Sequence, residues 1–118
     1  MLTFRTEIRG AHFRGDDAKN IVALMSPGEA VALEPEPENP YDENAIRVLT
    51  GDDTHIGYIA KEDAASIMPY LDQGLRAVCR ITGHASIHKP TCVVVVHDED
   101  EDPQEVFAEL FPEGPEAA

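Results

Sequence analysis

The chain has 118 residues, of which 42% are hydrophobic, 27% charged and 6% aromatic. That is enough for one domain with a buried core and too little for two. Nine Lys and Arg against twenty-three Asp and Glu give a formal charge of −14, which argues against loose, nonspecific nucleic-acid binding.

No apolar run approaches the roughly 18–20 residues of a membrane span. The start, Met1-Leu2-Thr3-Phe4-Arg5, lacks the basic-then-apolar pattern of a secretory signal, so a cytoplasmic location with no membrane contact is expected. Residues 98–118 carry nine acids and no Lys or Arg, which leaves residues 1–97 at −5. The expected division is a barrel domain over 1–97 and an acidic tail with a short amphipathic helix over 98–118.

Leu2, Phe4, Thr6 and Ile8 alternate with Thr3, Arg5, Glu7 and Arg9, which predicts a half-buried strand. Gly10 and Gly15 bracket a sharp turn around His12-Phe13. Asp16-Asp17 are placed to cap a helix using Ala18, Ile21, Val22 and Leu24. A turn at Ser26-Pro27-Gly28-Glu29 leads into a strand at Ala30–Leu33. Three prolines between Glu34 and Asn44 exclude helix interior and central strand and predict a rigid extended loop.

Ala45–Leu49 and His55–Ile59 read as a hairpin around Gly51-Asp52-Asp53. Lys61–Asp72 is a helix with Ala64, Ile67, Met68 and Leu71 on one face; Pro69 should kink or restart it, and Gly74 closes it. Leu75, Ala77, Cys79 and Ile81 alternate as another half-buried strand. Val93–Val96 is uninterrupted and β-branched, hence covered on both faces or central. Asp102-Pro103-Gln104-Glu105 is a helix start, and the stripe Val106, Phe107, Leu110, Phe111 is too short to stand alone in water. It must dock on the chain's own body or, alternatively, on a partner. These elements predict a mainly β fold: a small OB/SH3-like six-stranded β-barrel with two or three short helices.

No glycine loop precedes a helix with Lys-Ser/Thr, and Ser26, Ser66 and Ser86 lie in no nucleophile elbow, so no enzyme activity and no cofactor are expected. Cys79, His84, His88 and Cys92 are ligand types spaced by four, three and three intervening residues. That spacing matches no zinc pattern, and Cys79 falls on the inward face of its strand. With no export signal, Cys79 and Cys92 are expected as reduced core thiols. A metal or hydrolase site there is the least supported alternative.

The central block carries more chemistry. Tyr41 offers a stacking face, Asn39 a donor and an acceptor, Asp42 an acceptor for a hydroxyl, and Lys61 at a helix start suits a phosphate. Against this stands the alternative that Tyr41 plugs the core and Asp42 or Asn44 caps a turn.

The run Glu36-Pro37-Glu38-Asn39-Pro40-Tyr41-Asp42-Glu43-Asn44-Ala45-Ile46-Arg47-Val48, followed by Ile56-Gly57-Tyr58-Ile59-Ala60-Lys61 and Ala64, resembles the core of the HIRAN domain, including its stand-alone bacterial members. The resemblance extends to the Gly10–Gly15 turn and to Pro27–Leu33. It implies an OB-like barrel. It also implies the role that the domain has in eukaryotic fork-remodelling translocases, gripping the terminal 3′-hydroxyl nucleotide of single-stranded DNA. No motor or RING segment is present to bring ATPase or zinc chemistry.

Carried over by position, Asn39, Tyr41 and Asp42 match the end-binding loop, with Tyr41 stacking on a base and Asp42 near the terminal hydroxyl, and Lys61 matches a phosphate contact. Tyr58 stands where DNA-binding members have His, and His12-Phe13 where they have Arg-Tyr. Phe13 keeps the stacking face, while His12 lacks the fixed charge of an arginine. The expected function is a non-enzymatic module that takes single-stranded DNA ends in a preformed pocket, in DNA repair or replication. The alternative is a protein-interaction adaptor in which residues 98–118 engage a partner or occupy the DNA site in place of phosphates.

Overall fold

The computed structural model describes residues 1–112. Residues 113–118 of the predicted acidic tail lie outside the described residues. Six strands are present, β1 (Leu2–Arg9), β2 (Ala30–Pro35), β3 (Ile46–Leu49), β4 (His55–Ile59), β5 (Arg76–Ser86) and β6 (Lys89–His97). They close into a barrel in the order β1-β4-β3-β2-β5-β6, with every pairing antiparallel. Three α-helices, α1 (Asp16–Ala23), α2 (Lys61–Asp72) and α3 (Gln104–Leu110), and one 3₁₀ turn at Ala11–Phe13 complete the described chain. The predicted six-stranded barrel with short helices is the observed fold.

Two strands close the barrel by changing partners along their length. Leu2–Glu7 of β1 pair with β6, whereas Ile8 and Arg9 pair with β4. Ala30 and Val31 of β2 pair with β5, whereas Ala32–Pro35 pair only with β3. The second change corrects the sequence reading, because Glu34 and Pro35 belong to the strand and not to the loop. Pro35 is tolerated because that end of β2 lacks a second neighbour and needs no donor on its outer edge.

Alternation fills the interior with Ile8, Ile46, Val48, Ile56, Ile81, Val94 and Val96, all fully buried. α2 contributes Ala64, Ile67 and Met68 to the same core. It runs unbroken through Pro69, against the expected kink or restart. Pro69 and Ala65 both face solvent, so the carbonyl deprived of its donor is left to water. α1 begins from Gly15 with φ 99°, and Asp16 and Asp17 occupy its first turn; neither is the expected cap. There they still favour the positive helix end.

The valine run is buried on both faces. Val94 and Val96 point inward, while Val93 and Val95 pack outward against Phe107 of α3, which is 3% exposed, with Val78, Val106, Leu110 and Phe111 around them. Arg80 ties the helix down, lying 4.8 Å from the Phe107 ring centroid and donating to Gln104 at 3.0 Å. The Asp102 side chain accepts from the Gln104 N–H at 2.9 Å, as its helix-start pattern predicts. The apolar stripe that had two candidate docking partners is therefore closed on the chain's own barrel, which removes it from the adaptor reading.

One close approach fixes the β1–β4 junction. Gly57 has φ 150°, and a Cβ there would stand 2.6 Å from the Arg9 carbonyl oxygen. Gly57→Ala is expected to cost about 2–4 kcal/mol of unfolding free energy, combining overpacking with backbone strain. Urea denaturation measures this, and an unchanged midpoint would contradict the close approach. Phe107→Ala should cost about 3 kcal/mol by emptying the contact under α3.

Candidate functional site

Beside the β1–β4 junction lies an open groove of about 700 Å³. It is lined by Arg9, Gly10, His12, Phe13, Asn39, Tyr41, Asp42, Ala45, Tyr58, Ile59, Lys61 and Lys89. His12, Phe13, Asn39, Tyr41, Asp42, Tyr58 and Lys61, singled out from the sequence, all stand on this one groove although they come from four separate segments. A second hollow of about 580 Å³ continues past Tyr58 between Glu36, Pro37, Glu38, Asn39, Pro40 and Tyr41.

The walls are aromatic and outward. Tyr41 is 92% exposed and Phe13 82%, so Tyr41 is not a core plug. Phe13 is presented by the 3₁₀ turn, which Gly10 enters with φ 87° and Ala11 anchors by being fully buried. The His12 ring lies 4.0 Å from the Phe13 ring, centroid to centroid, and widens that wall.

Asn39 shapes the opposite wall. Its Oδ1 accepts the N–H groups of Tyr41 at 2.9 Å and Asp42 at 3.1 Å, and its Nδ2 donates to Glu36 at 3.0 Å. Asn39 therefore holds the loop in shape rather than offering both its groups to a ligand. Asp42 Oδ1 accepts from the Asn44 N–H at 2.9 Å, as the turn-cap alternative anticipated.

Tyr58 is half-buried between the two hollows. Its hydroxyl donates to Glu36 Oε1 at 2.8 Å, and its ring meets His55 edge-on at 4.8 Å between centroids. His55 Nε2–H donates to the Gly57 carbonyl at 3.0 Å, since a carbonyl can only accept. Burial, then the Arg14 charge, hold His55 below the usual imidazole range and favour a neutral ring. Burial pulls the Glu36 carboxyl upward. The Tyr58 and Asn39 hydrogen bonds, with the charge of Arg47, outweigh that and leave it below the usual carboxylate range. Burial, then the same bond to Glu36, raise the Tyr58 phenol.

Charge is distributed unevenly along the groove. Arg9 donates to both Glu62 oxygens, at 3.0 and 2.8 Å, and to Glu7 at 2.9 Å, so its charge is already compensated. Those bonds, Glu62 first, raise its pKa further. Lys61 begins α2 behind Ala60, which has no capping side chain. Neither Lys61 nor Lys89 pairs with a carboxylate within 4.0 Å among the described residues.

Sequence reasoning missed Glu36, Arg9 and Lys89. Glu36 was visible inside the proline motif, but the other two carry no local pattern that points to a groove.

The four candidate metal ligands are not brought together. Cys79 and Cys92 are free thiols buried in the barrel, and the Cys79 thiol is pushed up by its bond to Cys92 and by burial. His84 Nε2–H donates to the Val22 carbonyl at 2.6 Å, and His88 stands in the turn between β5 and β6. Among the described residues, no three His, Cys, Asp or Glu side chains form a metal cluster.

A carboxyl held low in the folded state adds stability above its unfolded pKa, and that contribution is lost as pH falls through the folded value. Tyr58→Phe removes one donor to Glu36. The carboxyl should then titrate nearer the ordinary carboxylate range, and the variant should lack part of the stability the parent has near neutral pH, the difference between the two closing as pH falls through the folded values. A carbon-detected NMR titration of Glu36 reads this, and an unmoved midpoint would show that the bond is not made in solution.

The sequence profile of the HIRAN domain matches residues 1–97. A stretch of 55 residues is 40% identical to the helicase-like transcription factors of Oryctolagus cuniculus and Mus musculus. It covers 47% of this chain and 6% of each of those proteins, so the chain corresponds to a small part of these relatives. The crystal structure of the HIRAN domain of human HLTF matches with a TM-score of 0.67 at 19% identity, over 94% of this chain and 87% of that one. A protein from Lactobacillus plantarum gives 0.66 at 26% identity, over 81% and 96% respectively. The HLTF HIRAN domain in its DNA-bound conformation gives 0.58 at 22% identity, over 92% and 84%. With the profile spanning the whole barrel and a HIRAN crystal structure sharing its fold, the chain belongs to the HIRAN domain family.

Proposed function

We propose that this domain is a non-enzymatic nucleic-acid-binding module that receives the 3′-hydroxyl end of single-stranded DNA in the groove between Phe13, Tyr41, Tyr58 and Lys61. The observation that carries the reading is the pair of outward rings, Tyr41 at 92% and Phe13 at 82% exposure, held by separate structured turns on one groove. Large rings left in water by both walls of a hollow suit a flat, π-faced guest. The DNA-bound form of a HIRAN domain of the same fold gives further support.

In this reading Phe13 and Tyr41 stack on bases and Tyr58 forms the floor. Lys61, at the uncapped start of α2, meets a phosphate. Asp42 has one oxygen engaged by Asn44, and the other is available to accept from the terminal hydroxyl. Stacking and hydrogen bonding at a shaped pocket depend less on summed charge than a basic track does, which reconciles the site with a net charge of −14.

Fluorescence anisotropy with single-stranded oligonucleotides at low salt tests this. A free 3′-hydroxyl should bind more tightly than a 3′-phosphate, whose charge faces Asp42. Equal binding of the two ends, or none, would refute end recognition. Tyr41→Ala and Phe13→Ala should each weaken binding about tenfold, the scale of one lost base stack. Their melting temperatures should hold, because neither ring is buried.

A further inference from the structure

We propose that Lys89, brought to the groove by the β5–β6 hairpin, contacts a phosphate of the strand behind the gripped end, so that the domain holds more than its terminal nucleotide. The proposal rests on the functional reading above and adds a residue and a length requirement to it.

The ladder between β1 and β6 ends at Glu7↔Thr91, whereas β5 and β6 stay paired to Ser86↔Lys89. Lys89 thus stands just beyond the barrel wall. By strand alternation it shares the outward side of Thr91, opposite the end of β1 where Arg9 projects. There it lines the groove with Arg9, Gly10 and Phe13.

The hairpin does not hang free. His84 Nε2–H donates to the Val22 carbonyl of α1 at 2.6 Å, Thr82 and Thr91 share a hydroxyl bond of 2.8 Å, and Pro90 is fully buried beside Lys89. The backbone that carries the ammonium is therefore set in place before any ligand arrives.

Lys89 also differs from its neighbour. Arg9 is held by Glu7 and Glu62, while Lys89 has no carboxylate within 4.0 Å among the described residues. Two lysines without such partners, Lys61 and Lys89, thus share this groove with a compensated arginine. In a chain of net charge −14, that arrangement is a local anion site. The exposed rings alongside select a phosphodiester that carries bases over a carboxylate-bearing peptide.

The test is a salt series of anisotropy titrations with the full chain, using a 3′-hydroxyl dinucleotide and a 3′-hydroxyl decanucleotide. The control is Arg76→Gln, an equal charge change at an exposed position of β5 that faces Glu99. Lys89→Gln should weaken decanucleotide binding about fivefold and make its logarithmic salt dependence shallower by about 0.7, the signature of one lost single-strand phosphate contact. Dinucleotide binding should change less, Lys89→Arg should retain the slope, and Arg76→Gln should leave it unaltered. If the parent chain binds neither oligonucleotide, the functional reading falls and this inference with it. If the parent binds while Lys89→Gln and Arg76→Gln behave alike, this inference alone is overturned.

Discussion

Glu36 Oε1 accepts hydrogen bonds from two groups far apart in the chain, the phenol of Tyr58 on β4 and the amide of Asn39 in the proline loop. That oxygen joins a strand of the barrel to the loop crossing in front of it. Asn39 then passes the constraint on, because its other side-chain atom fixes the backbone of Tyr41 and Asp42. Arg47 on β3 lies close to both Glu34 and Glu36 and keeps positive charge behind the carboxylate. A loop that carries Pro37 and Pro40 just after Pro35 of β2 has little conformational freedom to lose, so a few bonds suffice to hold an exposed tyrosine in one place. Without the Glu36 link the Tyr41 wall of the groove would be set independently of Tyr58 on the barrel.

The proposed anion site lies in a strongly acidic chain. Its cations are sorted by their partners. Arg9 and Arg47 are bound to carboxylates and act as structural struts, and Arg80 serves α3 through Phe107 and Gln104. Lys61 and Lys89 remain outside that network among the described residues, and both line the groove. Net charge governs the far field, whereas a ligand within a Debye length of about 10 Å meets the local arrangement.

The fold was legible because its signals are local and periodic. Two-residue alternation located the strands, and the double coverage of Val93–Val96 followed from their lack of polar neighbours. The misreadings have one physical source, since each depends on what stands beside the residue in space. Pro35 can remain in β2 only because its outer edge has no partner, and Pro69 can remain in α2 only because its face is in water. Asp16 and Asp17 look like caps from the sequence, yet Gly15 takes that place once the turn before α1 is formed.

By itself, the sequence determined the barrel, the helix start at Asp102 and the short list of aromatic, amide and lysine groups on which a site was expected. Tertiary structure decided how those groups are used. Asn39 became a loop brace, Tyr41 stayed in water instead of plugging the core, and the stripe around Phe107 closed on the chain's own β6. It also added Arg9, Lys89 and Glu36, which no spacing rule could have joined. Residue type and periodicity fix which face of an element is apolar. Which polar groups meet across segments follows only from the path of the closed barrel, here from the close approach of Gly57 to Arg9 and from the reach of the β5–β6 hairpin.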